Sequence, residues 1–94
     1  MNTELSDEQL GRLWCERNGR APDHDPRPGH MPWRWVCDEG PVYGLPRQVW
    51  VAIYDTAGVS GFSSEYLAYA VVGAALRELH RRAGEVAAVL GGVL

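Results

Sequence analysis

Residues 48–54, QVWVAIY, are the stretch on which the fold of this 94-residue chain turns. Read with a period of two, Val49, Val51 and Ile53 face one side and Trp50, Ala52 and Tyr54 the other. Its β-branched and aromatic content favours extended backbone. Both faces are apolar, and a strand of that kind is covered on both. The turn-rich segment DTAGVSG at 55–61 closes it. The reading that follows is a sheet with 48–54 as its strongest strand.

Upstream, WRWVC at 33–37 alternates, with Trp33, Trp35 and Cys37 on one face and Arg34 and Val36 on the other. Between the two runs, DEGPVYGLP is turn-rich and leaves room for a short extended piece at Val42-Tyr43. Before them, residues 18–32, NGRAPDHDPRPGHMP, hold almost no apolar side chain. Pro22, Pro26, Pro28 and Pro32 exclude helix there, so this is a long, polar, Pro-rich loop. At the start of the chain, Ser6 followed by Gln9 forms a capping-box pattern, with Asp7 and Glu8 in the first turn. A helix over 6–17 follows, with Leu10, Leu13, Trp14 and Arg17 on one face and Asn18-Gly19 as its stop.

Downstream, Ser63 is the expected N-cap of a long helix reaching about Leu90. Its first half is apolar all round, and Ala70, Gly73 and Ala74 form a small-residue strip that admits a close neighbour. The expected neighbour is a sheet, with a second copy of the chain as the alternative. The second half is amphipathic, with Leu76, Leu79, Ala83, Val86, Ala87 and Leu90 in one stripe. Arg77, Glu78, Arg81 and Glu85 lie opposite, with Glu78–Arg82 and Arg81–Glu85 spaced as ion pairs. Gly84 is a weak point and Gly91-Gly92 the expected end. The predicted fold is a small single α+β domain spanning 1–94. It has an N-terminal helix, a short antiparallel sheet of two or three strands, and a long C-terminal helix packed on the sheet. So short a chain has difficulty covering both sheet and helix, which raises the expectation of a homodimer or a larger protein partner.

Composition narrows the function classes. The net charge is −3, and all nine basic residues are Arg. That acidic balance argues against nucleic-acid binding, because nucleic-acid binders show a basic excess or a basic face, and leaves it as the weaker alternative function. The longest apolar run, 66–76, is eleven residues, short of the roughly 20 that cross a bilayer. The opening MNTELSDEQL has no apolar segment of the secretory type, so a cytoplasmic protein is expected.

Four residues invite a metal. Cys15, His24, His30 and Cys37 follow one another with eight, five and six residues between them. Two thiols and two imidazoles are a zinc donor set, although no tight pair of the Cys-x₂₋₄-Cys kind is present. Cys15 lies off the Leu10–Leu13–Trp14 face, where a structural thiol is less expected. Zinc is therefore carried as the alternative function, a small zinc- or ligand-binding domain. The Trp33-Arg34-Trp35 triplet combines residue types that dominate protein interfaces, although the same two indoles could pack under a helix. No catalytic motif is present: the acid pairs Asp23/Asp25 and Asp38/Glu39 sit in turns, which hold reactive geometry poorly. The expected function is a non-catalytic protein-binding module of the adaptor, accessory or inhibitor kind, as found among phage and mobile elements. Its expected contacts are Trp33, Arg34, Trp35, Asp38, Glu39, His24 and His30, and it needs no cofactor.

Overall fold

A computed structural model describes residues 4–37, 44–59 and 61–93, with side chains through residue 84. Six elements follow in order: α1 (Asp7–Asn18), β1 (Asp23–His24), β2 (Trp33–Arg34), α2 (Arg47–Ala57), β3 (Gly61–Phe62) and α3 (Glu65–Val93). The architecture is α+β. The three strands form an antiparallel sheet in the order β1-β2-β3, and the long C-terminal helix packs against α1, α2, β2 and β3.

The capping box forms as the sequence predicts. Ser6 Oγ accepts from the Gln9 amide at 3.1 Å, and Gln9 Oε1 accepts from the Ser6 amide at 2.8 Å. Gly19, at φ 64°, closes α1 in the left-handed conformation that glycine adopts without steric cost.

The strongest expected strand is a helix. Residues 47–57 coil as α2, and 48–54 lies wholly within it. Val49, Ala52 and Ile53 point into the core, a spacing of three and four residues and not of two. An apolar run this short satisfies either period, so the pattern does not distinguish them. Its surroundings do. Pro46 stands at the N-cap with φ −51°, Gly58 closes the other end at φ 72°, and Trp50 stacks on Tyr54 one turn on. Thr56, a β-branched residue, donates its hydroxyl back to the Ala52 carbonyl at 2.8 Å. Packing against α3 outweighs the intrinsic strand preference, which is worth about 1 kcal/mol or less per residue.

The sheet is built from other residues. β1 arises inside the stretch expected to be a loop, pairing Asp23 with Arg34 and His24 with Trp33. β2 covers only the first two residues of WRWVC, and Cys37 makes an isolated parallel bridge to Leu45. Val42-Tyr43 lie outside the described residues. The helix N-cap falls one residue late: Ser64, and not Ser63, accepts from the Leu67 amide at 3.2 Å. α3 then runs unbroken through Gly84 and past Leu90 to Val93.

The small-residue strip of α3 is met by α1. Gly11 lies against the Tyr69 backbone, and Gly73 lies against the backbone of Asp7. A Cβ at Gly11 would sit 1.9 Å from the Tyr69 carbonyl oxygen, and one at Gly73 would sit 1.8 Å from that of Asp7. The neighbour is therefore a helix of the same chain, neither the expected sheet nor a second copy. The two helices run antiparallel, with Asp7 pairing to Arg77 at 2.8 Å and Arg12 to Glu65 at 3.0 Å. This close approach also corrects the buried face of α1. Gly11 and Cys15 are its buried residues, while Leu10, Leu13 and Trp14 are half-buried along the flank.

The core joins Cys15, Trp35, Leu45, Val49, Ala52, Ile53, Ala68, Val72 and Ala75. Trp35 is 1% exposed, donates its indole N–H to the Ala68 carbonyl at 2.8 Å, and meets the Tyr69 ring edge-on at 6.0 Å. The indole thus satisfies its only polar atom on α3.

Three glycines in helices give opposite expectations. Gly11→Ala and Gly73→Ala each force backbone apart and should cost about 3 kcal/mol by thermal or urea melts. Gly84 faces open space, so Gly84→Ala should stabilise by up to about 1 kcal/mol through helix propensity.

Candidate functional site

The β1–β2 hairpin carries the candidate surface. Its connection holds the prolines that exclude regular structure, yet local bonds order it. The Asp25 amide donates to the Pro32 carbonyl at 2.7 Å, closing the loop at its base. Asp25 also takes the Arg27 guanidinium in a two-pronged contact, Nε–Oδ1 2.9 Å and NH2–Oδ2 2.7 Å, and accepts from the Arg27 amide at 3.2 Å. Arg27 holds the Asp25 carboxyl down at about 2 through these bonds. Gly29 makes the turn at φ 85°. A carboxylate and a guanidinium staple the loop that the sequence reading offered to a metal.

Strand register then aligns three rings. His24 stands opposite Trp33, and Trp33 opposite Phe62, so the three share one face of the sheet. The His24 and Trp33 rings lie 4.4 Å apart at 38°. His24 is exposed, while Trp33 and Phe62 are half-buried and lean on the core. Met31, 55% exposed, lies over Gly61, the residue paired with Arg34. Arg34 is half-buried on the opposite face of the strand, and His30 is exposed at the loop. Of the expected contact residues, the hairpin thus gathers His24, Trp33, Arg34 and His30. Trp35 belongs to the core. Asp38 and Glu39 lie outside the described residues. Met31 and Phe62 were not singled out from the sequence. Met31 sat in a polar loop, and Phe62 joins the row only through a register set by tertiary pairing.

The four residues offered to zinc are not gathered. Cys15 is buried in the core, Cys37 is half-buried beside Leu45, and the two histidines are exposed on the hairpin. Among the described residues no three His, Cys, Asp or Glu side chains are placed to hold a metal ion. Burial pushes the Cys15 thiol up to about 12, which disfavours the thiolate that a metal ligand or a nucleophile requires.

The basic turn 77–82 is internally paired. Arg77 binds Asp7 and the Leu5 carbonyl, while Arg81 and Arg82 both bind Glu78. Those two guanidiniums hold the Glu78 carboxyl at about 2. The expected Glu78–Arg82 pair is present, and Arg81 turns to Glu78 at 2.9 Å; the side chain of Glu85 lies outside the described residues. Two grooves flank this turn. One of about 510 Å³ is lined by Leu10, Trp14, Leu76, Arg77 and His80, the other of about 630 Å³ by Pro46, Arg47, Gln48, Val51, Leu79 and Arg82. No described helix is long and apolar enough to cross a membrane.

Two measurements test this geometry. The Asp25 carboxyl, followed by carbon-13 NMR, should titrate at about 2, and Arg27→Ala should return it toward the usual 3.9. Because the folded value is the lower one, the staple stabilises fully above about pH 4 and its contribution is lost as pH falls through about 2. His24→Ala and His30→Ala should each leave the melting temperature within about 2 °C of the parent, with or without a zinc chelator, as expected for exposed side chains.

Comparison of the chain with protein-family models, with curated proteins and with solved structures found no match.

Proposed function

We propose that this chain is a non-catalytic protein-binding module that acts by occupying a surface on a larger protein partner, as small adaptors and inhibitors do. The observation that carries this reading is the His24–Trp33–Phe62 row on one face of the hairpin sheet, with exposed Met31 lying over Gly61 on the Arg34 side. A half-buried indole held by the core beneath it is a rigid anchor. It loses little conformational entropy when a partner covers it. Exposed His24 and Met31 supply the rim, and Arg34 and His30 supply charge and hydrogen bonds at the hairpin. Asp38 and Glu39 follow the same hairpin in the chain and are assigned to the same contact. The net charge of −3 favours a protein over a nucleic acid as that partner.

The test begins with the immobilised chain and lysate of its source cells. The captured protein is identified by mass spectrometry, purified, and titrated against the chain by calorimetry. Trp33→Ala should weaken binding by about 2 kcal/mol or more, some thirtyfold, and Met31→Ser by about 1 kcal/mol. Met31→Ser should leave the melting temperature unchanged, which separates lost contact from lost fold. Full affinity in Trp33→Ala, Met31→Ser and His24→Ala together would remove the hairpin from the interface.

A further inference from the structure

We infer that the outward face of α2 is a self-complementary surface on which a second copy of this chain docks, antiparallel, about a twofold axis at Val51. Val49, Ala52 and Ile53 take the inward face of α2. The opposite face therefore presents Arg47, Val51 and Asp55, each one turn from the next, with Tyr54 alongside. Val51 and Tyr54 are 37% and 54% exposed, and Tyr54 is held in place by its stack on Trp50, ring centroids 5.6 Å apart.

The charges on this face are placed asymmetrically. Arg47 stands at one end, exposed and without an ion pair among the described residues. Asp55 stands at the other, about 12 Å along the axis at 1.5 Å per residue. It is half exposed, and its only described ion pair is a loose one, 3.9 Å to Arg82, which binds Glu78 more closely at 3.0 Å. A second α2 laid antiparallel brings its Asp55 to Arg47 and its Arg47 to Asp55, with Val51 on Val51 at the axis. A parallel copy would set like charges together. An isologous interface requires this reciprocity, in which residue i meets j and j meets i. The groove of about 630 Å³ between α2 and α3 opens on the same flank, so Leu79 of α3 extends the apolar contact beyond one helix, with Pro46 at its end. The surface shares no residue with the hairpin, so both can be engaged together.

Two 11-residue helices and their flanks fall near the lower end of stable interfaces, about 1,200 Å², so the dimer is weak and concentration-dependent. Sedimentation equilibrium of the full chain tests it, from about 5 μM to about 500 μM. The expected mass climbs from 10.4 kDa toward twice that value, and less steeply in high salt. Arg47→Glu and Asp55→Arg should each weaken association about tenfold, since each places like charges together twice per dimer. The doubly reversed variant, Arg47→Glu with Asp55→Arg, should recover the parent affinity. Far-UV circular dichroism checks each fold, and Arg47→Gln or Asp55→Asn replaces any variant that loses helix. A chain that stays monomeric at every concentration overturns the inference. So does a dimer whose affinity no single variant changes, or one that the double reversal fails to restore.

Discussion

Two glycines set the distance on which the rest of the structure depends. Gly11 and Gly73 let α1 and α3 touch backbone to backbone, where any side chain would hold them apart. At that separation Arg12 reaches over the Tyr69 ring, 4.4 Å from its centre, and also bonds Glu65. Asp7 reaches Arg77 across the same seam. Cys15, one turn beyond Gly11, is drawn into the core, and the larger Leu10 and Trp14 are left to line a flanking groove. The contact also removes the small-residue strip of α3 from availability to other chains. The self-association proposed above uses another face, that of α2.

The first half of α3 also supports the candidate site. Ala68 is small enough to let the Trp35 indole lie against the helix, and its carbonyl accepts the indole N–H. That bond fixes the chain two residues after Trp33, and so fixes where the hairpin stands. Three strands of two residues have little stability of their own. They persist because β2 and β3 rest on α3 and because Asp25 and Arg27 staple the connection between β1 and β2. The exposed surface is thus a thin sheet backed by a long helix.

Some of the site was legible in the residues and some was not. Trp33, Arg34, His24 and His30 stood out as candidate contacts because Trp and Arg dominate interfaces and because the loop is polar and Pro-rich. Which of Trp33 and Trp35 faced inward was not identifiable, since alternation places both on one side. β2 ends at Arg34, and that early end separates them: Trp35 turns under α3 while Trp33 stays in the sheet. The spacing of Cys15, His24, His30 and Cys37 suggested a donor set. Spacing carries no information about a hairpin that points away from the core, and the structure leaves the four apart.

The sequence by itself determined the ends of α1, the existence of a long apolar-to-amphipathic C-terminal helix, the mixed α+β class and the polar loop. Each of these rests on local chemistry: a capping box, a left-handed glycine, 3.6-residue periodicity, prolines that cannot donate. Only the tertiary structure decided that 48–54 coils, that the sheet is drawn from 23–24, 33–34 and 61–62, and that α1 fills the glycine strip. A seven-residue apolar run satisfies strand and helix equally, so its conformation follows from what it must cover. Here that surface is α3, another helix, against which the 49, 52 and 53 side chains pack as one ridge.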